Sequence, residues 1–372
     1  MKRALDDAVV PTERARAAEA RLKAQAQSWE APTEIASIPL ATEADIPVLD
    51  LGPYFESDSV CELERAAATL RQAKESTGFH FIVNHGVPSQ LITRTFSMCQ
   101  AFHALPVEAK QTLAMDATPS APSEVRAGCG YLGYANAKLP ARAKPNYNAA
   151  FIVKREVGPR NIGLEQMPWP DEGRHRLEGF RETVEAYCHA LEALAKRMLP
   201  VYAVALGLRP HHFDDAFVAP LYRLRLSQYL PTPPGEYGIN PHVDTSFFTI
   251  LRSTGPGLVV QSAASRGGWV RAPMCQQGDA FLVNFGELLS QITNDTWPAT
   301  RHYVLHARLR EATAYADDQD NEQSQPRMAL PFFFNATPTH RMAVLPTCCD
   351  AEHPPKSPPL SYLEGQGVVQ GE

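Results

Sequence analysis

Two histidines and one aspartate carry the chemistry most worth testing in this chain. His242 and Asp244 lie in the stretch Asn240-Pro241-His242-Val243-Asp244-Thr245-Ser246, and His302 follows about sixty residues later. Two neutral imidazoles and a carboxylate on one face of an octahedral Fe(II) leave three positions open for substrate and O₂. A structural zinc site would instead be closed by four ligands. On an extended strand, residues two apart project to the same face, so His242 and Asp244 can aim at one point. Pro241 biases Asn240 toward that extended backbone. His302 opens an apolar run (Tyr303, Val304, Leu305), and an antiparallel partner strand would set it opposite the first pair. A short His/Asp pair alone is common by chance, and a single histidine is more often a core or surface residue. The surrounding sequence has to carry the reading.

The elements that would position these residues are bounded by composition. The 372 residues allow one large domain or two ordinary ones, and 44% hydrophobic content is enough for a substantial core. A net charge of −6 without a long basic run argues against nucleic acid or an anionic membrane as partner. No apolar run reaches the length of a membrane span, and Met1–Asp7 lacks the apolar core of a signal peptide. The seven cysteines, at 61, 99, 129, 188, 275, 348 and 349, include no CxxC pair, and the adjacent Cys348-Cys349 would strain as a disulfide. Reduced thiols and a cytoplasmic location follow as the expectation, which also suits a ferrous site. Thirty-two prolines favour a turn-rich β core over a helical bundle.

Along the chain, residues 2–28 read as a helical arm, poor in apolar residues. Ile46–Leu51 and Gly78–Val83 read as strands, and 60–76, 88–104 and 172–206 as helices, with 116–170 loop-rich between the last two. From Leu221 the pattern becomes short strands divided by turns: Arg223–Tyr229, Phe247–Arg252, Gly257–Gln261, Trp269–Ala272, Ala280–Asn284, Tyr303–Leu309 and Met328–Phe334. That spacing fits a β-sandwich or barrel rather than a βαβ array. The acidic run 317–322 reads as a solvated hairpin loop. His85, His103, His211, His212, His306 and His340 read as turn, helix-start or surface residues.

Ordered segments over roughly 44–345 then carry a resemblance. Ile46-Pro47-Val48-Leu49-Asp50-Leu51, Gly78-Phe79-His80-Phe81-Ile82-Val83-Asn84-His85-Gly86-Val87-Pro88, Phe102-His103-Ala104-Leu105-Pro106 and Gly130-Tyr131-Leu132-Gly133-Tyr134 are followed by Leu224-Arg225-Leu226-Ser227-Gln228-Tyr229 and His242-Val243-Asp244. Val283-Asn284-Phe285-Gly286-Glu287, Arg301-His302-Tyr303-Val304 and Arg327-Met328-Ala329-Leu330-Pro331-Phe332-Phe333-Phe334 close the series. In order and spacing these resemble the isopenicillin N synthase-like family of non-haem Fe(II), mostly 2-oxoglutarate-dependent, dioxygenases.

The resemblance implies a mainly β fold with flanking helices around a double-stranded β-helix, or jelly roll. It divides the chain into an arm (1–44), an N-terminal helical and strand region (45–215), a jelly-roll core (216–345) and a tail (346–372). It implies Fe(II) on His242, Asp244 and His302, with O₂ and 2-oxoglutarate as cosubstrates, ascorbate as an accessory reductant, and succinate and CO₂ as coproducts. No catalytic residue is expected beyond the metal ligands. Arg327 takes the position of the family's carboxylate anchor, for which a planar guanidinium fork is suited, and Tyr229 is a second contact. Ala329 stands where the family usually has Ser, and Ser227 where it often has Asn.

Tyr131, Tyr134, Phe151, Phe247 and Phe334 fall where family substrate pockets lie, with aromatic core filler as the equal alternative for each, and Arg126, Arg142 and Lys144 could meet a substrate carboxylate but read first as solvated surface residues. The expected reaction is hydroxylation, desaturation or cyclisation of a small molecule from secondary or amino-acid-related metabolism, by a monomer or weak homo-oligomer. The alternatives are an oxidase of the same fold that uses no 2-oxoglutarate, and a non-catalytic jelly-roll binding protein.

Overall fold

The computed structural model describes residues 31–57, 59–115, 129–135, 145–155, 167–263, 268–275, 278–305 and 326–361. The expected arm over 2–28, the acidic run 317–322, and Arg126, Arg142, Lys144 and His306 lie outside these residues.

The N-terminal region contributes β1 (Val48–Asp50), α1 (Gly52–Ser57), α2 (Val60–Glu75), β2 (Phe79–Val83), α3 (Ser89–His103), α4 (Val107–Gln111), β3 (Gly130–Leu132), β4 (Asn148–Lys154), α5 (Glu172–His175) and α6 (Phe180–Ala205). The remainder contributes β5 (Leu221–Tyr229), β6 (Ile239–His242), β7 (Phe248–Ser253), β8 (Leu258–Gln261), β9 (Trp269–Arg271), β10 (Phe281–Phe285), α7 (Glu287–Ile292), β11 (His302–Val304) and β12 (Arg327–Asn335).

Two sheets result among the described residues. The larger runs β1-β2-β10-β7-β12-β5-β4-β3, so strands from both halves of the chain build it; the smaller runs β6-β11-β8-β9. Strict alternation sorts each long strand between two environments. On β12, Met328, Leu330, Phe332 and Phe334 face the core packed under α2, α3 and α6, whereas Arg327, Ala329, Pro331 and Phe333 face a cavity between the sheets. On β5, Tyr222, Leu224 and Leu226 join that helical core, while Arg225, Ser227 and Tyr229 face the cavity. A separate apolar cluster, including Phe79, Phe81, Leu258, Val260, Leu282 and Val304, fills the space between the two sheets.

Three expectations change. The single helix over 172–206 is two, because Arg176 and Gly179 take left-handed backbone (φ +54° and +76°) between α5 and α6. The Glu172 carboxylate accepts from the Gly179 and Arg181 N–H groups at 2.8 and 2.7 Å, satisfying donors that open α6. Within the region read as loop, β3 and β4 are strands; β4 is buried on both faces and so shows no alternation to read. His103 is not a turn or surface residue but is 5% exposed, with Nε2 2.9 Å from the Leu226 carbonyl.

Candidate active site

The three singled-out residues converge. His242, the last residue of β6, sits directly opposite His302, the first of β11, in an antiparallel register. Asp244 is not on the strand: β6 ends at His242, and the carboxylate arrives from the loop that follows. Both imidazole Nε2 atoms lie 3.6 Å from Asp244 Oδ1. That is too long for a hydrogen bond, and it fits ligand atoms that share one ion at about 2.0–2.2 Å from each.

The neighbours of the trio orient those atoms. His242 Nδ1 is 2.8 Å from the Asn240 carbonyl and His302 Nδ1 is 3.0 Å from the Thr300 carbonyl. A carbonyl only accepts, so each Nδ1 carries the proton and each Nε2 keeps its lone pair. Asp244 Oδ2 accepts from Thr249 Oγ1 at 2.7 Å and Asn284 Nδ2 at 2.9 Å, which turns Oδ1 toward the histidines. The loop is pinned from below. The Glu287 N–H, at the start of α7, donates to the Asp244 carbonyl at 2.7 Å. Gly286 permits that approach, since a Cβ there would stand 1.9 Å from the Ser246 carbonyl oxygen.

Beside the trio runs a row of cavity-facing side chains on β5 and β12. Arg327 pairs with Tyr229 across the strands, and its guanidinium carbon stands 4.9 Å from the Tyr229 ring centroid. Arg327 is only 4% exposed; its Nε donates to the Gly255 carbonyl at 3.0 Å, but its Nη1 has no partner. Burial lowers its pKa and Tyr229 raises it, and a guanidinium stays charged throughout. The next pair along is Ala329 opposite Ser227, whose buried hydroxyl also lacks a partner. The cavity is walled on its apolar side by Phe79, Ile239, Leu251, Leu258 and Val304.

Comparison with known proteins agrees with this architecture. A profile described as the non-haem dioxygenase in morphine synthesis N-terminal region matches residues 46–172, and one for the 2OG-Fe(II) oxygenase superfamily matches residues 213–336. The chain belongs to the 2OG-Fe(II) oxygenase superfamily, within its isopenicillin N synthase-like family. As such it is an Fe(II)- and 2-oxoglutarate-dependent oxygenase, an oxidoreductase on a jelly-roll fold.

Its relatives include the 2-oxoglutarate-Fe(II) type oxidoreductase hxnY of Emericella nidulans, 28% identical over 87% of this chain and 88% of the relative. Isopenicillin N synthase of Streptomyces jumonjinensis is 28% identical over 87% and 94%. A full-length Neurospora crassa protein, solved in complex with alpha-KG and thymine, superposes with a TM-score of 0.71 at 22% identity, over 88% of this chain and 97% of that one.

The five aromatic residues singled out in the sequence lie outside the cavity that holds the trio. Phe151, Phe247 and Phe334 are fully buried in the helical core: Phe151 packs on Phe102 and Phe180, and Phe247 and Phe334 on Phe217. None of the three lines the cavity; on β12 the pleat turns Phe334 away, and Phe333, one residue before it, faces the cavity instead. Tyr131 is likewise in the helical core, beside Phe102, and Tyr134 lies at the surface, 39% exposed. Sequence reasoning missed Thr249 and Asn284, which hold Asp244, and Arg225, which lines the cavity. The alternation of β5 could have found Arg225, since it shares the face of Ser227 and Tyr229.

Proposed function

We propose that this oxygenase holds a ferrous ion with His242, Asp244 and His302 and the far carboxylate of 2-oxoglutarate with Arg327, Tyr229 and Ser227, and oxidises a small organic substrate in the same cavity. The observation that carries the reading is the pair of orphaned donors beside the trio, Arg327 Nη1 and Ser227 Oγ. Buried donors without acceptors cost about 1–3 kcal/mol each, more when charged, and a bound carboxylate removes that cost for both. Ser227 stands opposite Ala329, so its hydroxyl supplies on one strand the donor that Ala329 lacks on the other.

When bound, the iron supplies O₂ activation coupled to conversion of 2-oxoglutarate into succinate and CO₂, the power to oxidise a C–H bond. The chain supplies placement. Thr249 and Asn284 fix the carboxylate, Asn240 and Thr300 fix the imidazole tautomers, and the apolar walls exclude water from the reacting centre. We also read the protein as cytoplasmic, monomeric or weakly self-associating, and without nucleic-acid or membrane partners. The acidic charge and the free cysteines support this, and no described helix is long and apolar enough to cross a membrane.

The test is succinate release from 2-oxoglutarate with Fe(II) and ascorbate across a panel of small substrates. Wild type should release succinate, His242→Ala should not, and Arg327→Gln should need at least ten-fold more 2-oxoglutarate for half-maximal rate. Substrate oxidation without any succinate would point to the oxidase that uses no 2-oxoglutarate.

A further inference from the structure

Arg225 faces the same cavity from β5, on the row that holds Ser227 and Tyr229. Its Nε is buried without a partner, and its one side-chain hydrogen bond is a long 3.4 Å contact from Nη2 to Asn148 Oδ1. Elsewhere the protein shows how it handles a partly buried arginine that only supports the fold: Arg155 donates to the Glu192 carboxylate at 2.6 Å. No described carboxylate makes such a pair with Arg225. Burial and the like charge of Arg223 both disfavour its charged form, while Tyr229 and Asp244 favour it. Asp244, however, is already engaged with Thr249, Asn284 and the metal-facing histidines.

The charges of the cavity do not balance on the cofactors alone. A divalent metal, Arg225, Arg327 and Asp244 together leave an excess of three positive charges. Dianionic 2-oxoglutarate removes two of them. With one carboxylate at the metal and the other held by Arg327, it would have no third for Arg225. A half-buried guanidinium with a buried, unpartnered Nε is costly to leave without an anion, so the remaining charge belongs to whatever else the cavity binds.

We propose that the substrate carries a carboxylate and that Arg225 receives it, fixing the orientation in which the rest of the molecule meets the metal. This rests on the reading of the site as an iron and 2-oxoglutarate centre. It adds a substrate class and a specificity-determining residue.

The test uses the full chain loaded with Mn(II) and 2-oxoglutarate, so that no turnover occurs, titrated calorimetrically with two matched pairs: benzoate against benzamide, and hexanoate against hexanamide. In wild type the acid of at least one pair should bind about ten-fold or more tighter than its amide, the size of a charge-assisted hydrogen bond. Arg225→Gln should abolish that preference and Arg225→Lys should keep part of it, with 2-oxoglutarate affinity within about three-fold of wild type in both. Equal binding of acids and amides by wild type, or no binding of either, overturns the proposal without recourse to any variant. So does an Arg225→Gln protein that loses 2-oxoglutarate, because Arg225 would then hold the cosubstrate. If wild type itself fails to bind Mn(II) and 2-oxoglutarate, the cofactor reading has failed and this inference falls with it.

Discussion

Asp244 shows how much of a metal site is decided by atoms that never touch the metal. Its Oδ2 is occupied by Thr249 and Asn284, so only Oδ1 is presented, at equal distance from both imidazoles. Removing one such support typically costs 10–100-fold in metal affinity. Thr249→Val keeps the shape and deletes the donor. Its Fe(II) affinity, measured by competition with a chelator, should therefore fall by about ten-fold or more while the melting temperature moves little. A variant that binds iron as tightly as wild type would remove the orienting role given to Thr249. Ser227 belongs to the same scale. If its hydroxyl stands in for the one absent at 329, Ser227→Ala should weaken 2-oxoglutarate binding by about five-fold or more, as one hydrogen bond to a charged group implies. Restoring a hydroxyl with Ala329→Ser in that background should recover most of the loss; a double variant as weak as Ser227→Ala would show that the two positions are not interchangeable.

At the scale of elements, parity decides which side chains meet chemistry. Phe333 and Phe334 are neighbours on β12, yet one lines the cavity and the other lies in the helical core. Phe334→Ala should destabilise the fold by about 3–5 kcal/mol, the usual cost of deleting a buried ring. Phe333→Ala should leave the denaturation midpoint near wild type and alter substrate use instead. Equal losses of stability would contradict the assignment of faces. The turn before α7 has a comparable position. Gly286→Ala sets a Cβ against the Ser246 carbonyl, so the Asp244 loop must shift, and both thermal stability and metal affinity should drop.

These contrasts also show what was legible beforehand. The residues of the trio were readable because the ordered segments around them resemble a known family, and β5, β7 and β12 because apolar runs stand between turns. The faces were not readable. A strand buried on both sides, such as β4, gives no alternation to say that Phe151 packs in the helical core and not toward the cavity. The break between α5 and α6 was hidden because Arg176, which carries no turn signal, takes left-handed backbone there, and a glutamate side chain, not a proline, caps the start of α6.

For the molecule as a whole, two buried histidines, His80 on β2 and His103 at the end of α3, carry a pH liability. His80 is fully buried with neither ring nitrogen partnered, and burial pushes its pKa down to about 3; burial likewise lowers His103, to about 4. Both are neutral in the folded protein, whereas in the unfolded chain they take up protons below about pH 6.5. The unfolded state therefore binds more protons as pH falls. The contribution of these two groups should be lost as pH falls below about 6.5, by up to about 1.4 kcal/mol per pH unit for each histidine until its folded pKa is reached. Urea unfolding between pH 8 and 5 measures this, and His80→Phe should flatten the slope; an unchanged slope would place the liability elsewhere.

The central claim, that the trio and the β5–β12 row form one iron and 2-oxoglutarate centre, is tested most directly by anaerobic titration of Fe(II) and 2-oxoglutarate, followed by the visible charge-transfer absorption of the chelate. Wild type should develop the band at one iron per chain, His242→Ala should show none, and Arg327→Gln should require at least ten-fold more 2-oxoglutarate. A band of wild-type intensity and affinity in both variants would contradict the account.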